Sequence, residues 1–151
     1  YKAEKSEAKN LSRMCLGRPA IAIKLKEDTE YYDKYSENIN TFVFLNMNDI
    51  NLRFNKIEEI ITKKQTPQES SRLVSKLLEA WLALTRDCLL IKYSQKNLVQ
   101  HSIIIEQLEN IEKKFTVQQL LNLNNILINA KMYLRSNVNS KNILEYIAVN
   151  I

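Results

Sequence analysis

Apolar residues along this chain recur every three or four positions over long stretches and rarely alternate, the periodicity of helices packed on one face. The longest such stretch runs from Thr66 to Ser94, TPQESSRLVSKLLEAWLALTRDCLLIKYS. Within it Leu73, Val74, Leu77, Leu78, Trp81, Leu82, Thr85, Cys88 and Leu89 share a face, and Leu84, Leu90 and Ile91 widen that face beyond a single stripe. A helix with this much apolar surface is packed on more than one side. At about 1.5 Å per residue it spans roughly 40 Å, enough to serve as the spine of a small domain. Its start is specified locally: Thr66 as cap, Pro67 at the first helical position where a missing N–H costs nothing, and Glu69 placed to close a capping box.

Shorter periodic segments flank the spine. Lys5 to Leu16 sets Ala8, Leu11 and Cys15 on one side and stops at Gly17, suited to a left-handed helix end; Arg18 and Pro19 then open a helix carrying Ala20, Ile21, Ala22, Ile23 and Leu25. Tyr31, Tyr32, Tyr35, Ile39, Phe42 and Val43 predict a helix to about Leu45, with the tyrosines in the core rather than forming a stacking platform for bases. Asn48 is the expected cap of the next helix, with Met47 and Leu52 as its hydrophobic staple and Ile50, Phe54, Ile57 and Ile61 as its buried series. Arg53, Lys56, Glu58, Glu59, Lys63 and Lys64 fall on its outward face, where Glu59 and Lys63 make an i, i+4 pair worth a few tenths of a kcal/mol.

Beyond the spine, Gln95 to Ser102 reads as a polar connection, and His101, the single histidine, as a surface or capping residue. Ile104, Leu108, Ile111 and Phe115 form the next stripe. Thr116 and Gln119 make a second capping box, Phe115 and Leu120 its staple, and Leu120, Leu123, Leu127, Ala130 and Leu134 the seam of a helix ending near Asn137; Asn122, Asn125 and Asn129 lie opposite the seam. Asn139 caps a last helix, with Val138 and Ile143 as staple and Leu144, Ile147, Ala148 and Ile151 as its buried edge.

Composition sharpens this to a fold class. The 151 residues are 45% hydrophobic and 26% charged, which suits one globular domain with a small appendage, and a single glycine with two prolines leaves little punctuation for hairpins, so the chain is expected to be an all-α helical bundle. The formal charge of +5 is spread out: residues 1 to 65 hold 12 Lys/Arg against 10 Asp/Glu, and residues 66 to 151 hold 10 against 7. Interspersed signs of this kind describe solvated faces rather than a phosphate-binding stripe. Cys15 and Cys88 belong to no CxxC or Cys/His cluster and read as free, buried thiols in a reducing, cytoplasmic setting. No apolar run approaches the ~18 residues of a membrane span, and the start, YKAEKSEAK, has neither a signal-peptide core nor an initiator methionine, as expected of a piece of a longer protein.

Candidate chemistry is sparse. There is no GxxxxGK[ST] phosphate loop, no nucleophile elbow and no HExxH pair, so no catalytic, cofactor-binding or metal-ligating residue is expected in these residues. Arg86 and Asp87 stand out as charges within the most apolar helix. Neighbours in sequence do not face each other on a helix, so the two are expected to find separate partners, at helix ends or in another subunit.

Three segments carry a resemblance. SEAKNLSRMCLGRPAIAIKL, Ser6 to Leu25, resembles the end of the small lid domain of clamp-loader AAA+ subunits, where a helix ends in a Gly-Arg-Pro-type turn, here Gly17, Arg18 and Pro19. WLALTRDCLLIK, Trp81 to Lys92, and LRSNVNSKNILEYIAVNI, Leu134 to Ile151, resemble the W-x-R-D-type helix and the Asn-x-Asn-x-x-Leu-x-x-Glu-type ending of the collar domain in the delta-prime family of bacterial DNA polymerase III clamp-loader subunits. The resemblance implies a lid remnant over residues 1–28 and a helical collar over 29–151, the part through which five subunits form a ring. It implies Arg86, Asp87, Arg135, Asn137 and Asn139 as candidate interface residues, with the gamma/tau and delta subunits as partners and the sliding clamp and primed DNA as indirect ones. ATPase-active relatives carry an arginine three residues after the turn glycine, where this chain has Ala20, which favours delta-prime over gamma/tau. A free-standing helical module that binds nucleic acid or acts as an adaptor is the competing expectation.

Overall fold

The computed structural model describes residues 23, 26–62 and 66–151. The lid-like segment with its turn Gly17, Arg18 and Pro19, its departure at Ala20, the thiol of Cys15 and the expected partner of Glu59, Lys63, lie outside the described residues.

Among the described residues every regular element is helical: α1 (Thr29–Met47), α2 (Ile50–Thr62), α3 (Pro67–Lys92), α4 (Ile105–Glu112), α5 (Val117–Arg135) and α6 (Ser140–Asn150), with single 3-10 turns at Lys96–Leu98 and Ser102–Ile104 between α3 and α4. The bundle is organised by α3, which packs against α5 most extensively and also against α1, α4 and α6, while α2 lies along α6. The expected spine is therefore present, and its start has the expected geometry. Thr66 Oγ1 accepts the Glu69 N–H at 3.2 Å, and the Glu69 carboxylate accepts the Thr66 N–H at 3.2 Å. The second capping box repeats this at Thr116 and Gln119, and Asn139 Oδ1 accepts the N–H groups of Lys141 and Asn142.

Trp81 sits at the centre of the core, 1% exposed, its ring 6.3 Å from that of Phe42 and its indole N–H donating to the Asn38 carbonyl at 3.1 Å. Val74, Leu78, Leu84 and Cys88 of α3 meet Leu45 of α1, Leu108 of α4, Leu120 and Leu127 of α5, and Leu144 and Ile147 of α6 in one apolar cluster. Each such side chain contributes about 1.5–3 kcal/mol relative to its exposed state. The buried face of α3 is turned slightly from the expected one: Ala80, Leu84 and Ile91 are inside, while Leu73, Leu82 and Leu89 are only partly covered.

Several expectations are corrected. Asn48 does not cap α2. The chain is extended at Asn48, whose side chain donates back to the Phe44 carbonyl at 2.8 Å and finishes α1, so the cap moves on to Asp49, whose Oδ1 accepts from the Asn51 and Leu52 N–H groups at 2.9 and 3.1 Å. Met47 and Leu52 are both exposed and form no buried staple. On α1, capped by Asp28, Tyr32 is exposed and Tyr31 and Tyr35 are half-buried, while Asn38, Thr41 and Asn46 are inside. On α2 the buried pair is Ile57 and Ile60, with Ile50 exposed at the helix start.

Arg53 is not outward-facing either. Its guanidinium donates to the carbonyls of Ala148 at 2.9 Å, Ile151 at 3.1 Å and Asn48 at 3.0 Å, which places a cation on the orphan carbonyls at the end of α6. Burial pulls its pKa below the usual arginine value, and Asp49 opposes that shift.

Two substitutions check this architecture. Trp81→Ala should cost about 3–5 kcal/mol in urea unfolding, because it removes the largest side chain of the core. Thr66→Ala should cost on the order of 1 kcal/mol through the lost cap. A Trp81→Ala protein as stable as wild type would show that the core is elsewhere.

Candidate functional site

Among the described residues, a cluster of buried polar side chains with chemical potential is built around Asp87. Its helical position, between Leu84, Cys88 and Ile91 on α3, turns the carboxylate inward, and the side chain is fully buried. An isolated carboxylate there would cost several kcal/mol, so its oxygens need donors. The connection after α3 supplies them. Asp87 Oδ2 accepts the His101 backbone N–H at 2.9 Å and faces His101 Nδ1 at 2.8 Å, and the Gln100 N–H lies 3.1 Å from both oxygens. Arg86 Nη1 stands 3.6 Å from Asp87 Oδ1, too far for a hydrogen bond, with its own side chain about half exposed.

The other imidazole nitrogen, Nε2, is 2.7 Å from the hydroxyl of Tyr35 on α1, and the two rings stack at 6.0 Å with 20° between their planes. An ionised carboxylate can only accept, so Nδ1 carries the proton toward Asp87; in the neutral imidazole Nε2 then accepts from Tyr35. The result is a relay of three side chains from three parts of the fold. Its order, carboxylate to imidazole to hydroxyl, is that of a nucleophilic relay, but here the imidazole of His101 is 2% exposed and so closed off from solvent. What it does in this position is fasten the 95–104 connection to α3 and α1.

His101 therefore differs from its expected surface place. The connection is not peripheral, since Val99 and Gln100 are also buried. Two observations made separately, a charge stranded in an apolar stripe at Asp87 and a lone histidine fourteen residues later, were the available signal for this pair.

Next to Asp87, the Cys88 thiol lies 3.9 Å from the Leu108 carbonyl. Burial, with further help from the Asp87 and Glu112 charges, pushes its pKa up to about 12. It is a packed thiol rather than a nucleophile. Among the described residues no group of three His, Cys, Asp or Glu side chains is arranged to hold a metal ion, and no helix is long and apolar enough to cross a membrane.

The five candidate interface residues do not come together. Arg86 is on the surface, but the carboxylate of Asp87 is inside its own bundle, occupied by His101 and the 100–101 backbone. Arg135, Asn137 and Asn139 are exposed at the α5–α6 corner, where Asn137 takes φ 59°, a left-handed conformation that asparagine tolerates. That corner borders a groove of about 690 Å³ whose walls include Thr66, Pro67 and Ser70 at the start of α3. Asp87 is twenty residues further along the same helix, roughly 30 Å away.

No protein-family model, curated protein or solved structure matches this chain.

Removing the carboxylate should be felt in folding. Asp87→Ala leaves the His101 imidazole and the 100–101 N–H groups without an acceptor, and a loss of about 3–5 kcal/mol is expected by chemical denaturation. Cys88 in a Cys15→Ser background should resist alkylation at pH 8 in the native state and react at the rate of an ordinary thiol in urea. Rapid native labelling would place Cys88 at the surface.

Proposed function

We propose that this chain is a subunit-assembly domain of a DNA polymerase III-type clamp loader, of the delta-prime kind, which supports ATP-dependent loading of the sliding clamp onto primed DNA. The observation that carries this reading is surplus apolar surface: with the core complete, the outer faces of α5 and α6 still expose Leu121, Ile128, Met132, Tyr133, Tyr146 and Val149. The collar-like segments 81–92 and 134–151 include much of α3 and all of α6, so the resemblance bears on elements at the centre of this bundle.

In this reading the role is geometric. A rigid helical collar holds neighbouring ATPase modules at fixed spacing, so that nucleotide binding elsewhere becomes motion of a ring rather than separation of its subunits. These residues themselves neither bind nor hydrolyse ATP, having no phosphate loop and a single glycine. The rival reading, a nucleic-acid-binding or adaptor module, keeps only part of its tyrosine support, because Tyr35 is engaged by His101 and Tyr31 is half-buried, which leaves Tyr32 as the one exposed ring of the three.

The test is binding to the collar of the same organism's gamma/tau subunit, followed by sedimentation velocity, with a fluorescent primed DNA titrated in parallel at several salt concentrations. A stable complex with the collar and only weak, salt-sensitive DNA binding is expected. Absence of any complex, with tight DNA binding that persists at moderate salt, would move the protein to the rival class.

A further inference from the structure

Leu121, Asn125, Ile128 and Met132 on α5 are separated by four, three and four residues, the spacing of a seam along which one helix pairs with another. That seam does not face the core. The buried residues of α5 are Leu120, Leu123, Leu127 and Ala130, and at 3.6 residues per turn the second stripe lies roughly 150° around the helix from them. All four of its residues are exposed, the apolar three at 42%, 44% and 52%. A helix with one neighbour-facing stripe needs only the first of these periodicities.

The segment that carries the second stripe has formal charge of one sign only. From Lys113 to Leu144 the chain carries Lys113, Lys114, Lys131, Arg135 and Lys141 and no aspartate or glutamate. Acids from other elements reach part of this set: Glu79 of α3 lies 3.8 Å from Lys131, and Glu58 and Glu145 meet Lys141. Arg135, three residues beyond Met132 and thus the next position of the seam, makes no ion pair among the described residues.

We propose that α5 presents this stripe to an amphipathic helix of a partner that is apolar along its seam and acidic on its flanks. Leu121, Ile128 and Met132 receive its apolar side chains, Asn125 sets register at the cost of some affinity, and Arg135 pairs with a flanking carboxylate. A second copy of this chain fits poorly. Parallel pairing would set Arg135 against Arg135, and antiparallel pairing with Leu121 opposite Met132 would bring Arg135 to within about a turn of Lys114. The identity of the natural partner rests on the assembly reading above; the chemistry of the surface does not.

The probes are two synthetic helices with the same leucine seam, one flanked by glutamate and one by lysine, titrated into the full chain by fluorescence anisotropy. The glutamate-flanked helix should bind at least about tenfold tighter, its binding should weaken with added salt, and Ile128→Asp should reduce it by a further tenfold or more with an unchanged thermal melt. Equal binding of both helices, or of neither, overturns the proposal, as does dimerisation of the chain that Ile128→Asp abolishes. In the gamma/tau collar assay the two readings separate: a chain that takes the acidic helix but not the collar removes the assembly reading alone, and collar binding untouched by Ile128→Asp removes this surface alone.

Discussion

A buried charge is the constraint on which much of this bundle depends. Once Asp87 sits on the inner face of α3, the chain that follows must return donors to it, and it does so with two backbone N–H groups and an imidazole. That requirement pulls residues 99–101 inside and thereby sets where α4 begins. From that point α4 packs against the end of α3, held by Leu108 and Ile111 in the core, by the Lys92–Glu112 pair at 2.7 Å and by the Lys96–Glu109 pair at 2.5 Å at the surface. The surface pair Lys96–Glu109 adds little; the interior carboxylate and the apolar contacts that it allows decide the path. Tyr35 extends the same network to α1, so one side chain on α3 determines the relation of three elements.

The junction of α2 and α6 is closed by different chemistry. There α2 and α6 meet through Arg53, whose guanidinium satisfies carbonyls that the end of α6 leaves without helical partners. The planar fork of arginine reaches several carbonyls at once, including that of Asn48 at the corner before its own helix, which a lysine ammonium could not do with the same geometry. Both closures follow one rule. Each joins a charged side chain on one helix to backbone groups of another element that have no helical partner.

That rule also separates what could be read from the chain from what could not. Thr66 with Glu69, Thr116 with Gln119, and Asn139 were legible because a cap's partners lie within four residues, and the seams of α3 and α5 because burial repeats with the helical period. His101 and Arg53 were not, since their partners are fourteen and more than ninety residues away and only the folded chain brings them together. The misplacement of the α2 cap by one residue has a local cause: Asn48 and Asp49 are both good caps, and the choice turned on Asn48 being used to end α1. Asp87 shows the limit most clearly. Its need for a partner was evident from an apolar stripe, but whether that partner lay in the same bundle or in a neighbouring subunit is a question of tertiary placement.

Placing Asp87 inside changes which parts of the surface are left to carry an assembly role. A carboxylate already met by two backbone N–H groups and an imidazole has nothing to gain from a neighbouring subunit. Under the assembly role proposed above, contact falls to surfaces whose residues the fold does not use. On α5 the Leu120, Leu123, Leu127 and Ala130 stripe is consumed by the core, yet Leu121, Ile128 and Met132 repeat at the same helical period on the far side. Folding alone would place polar residues at such positions, as it does at Asn122. A second apolar register on a helix that already has one is a cost in solubility, and a partner that covers it is the condition under which that cost disappears.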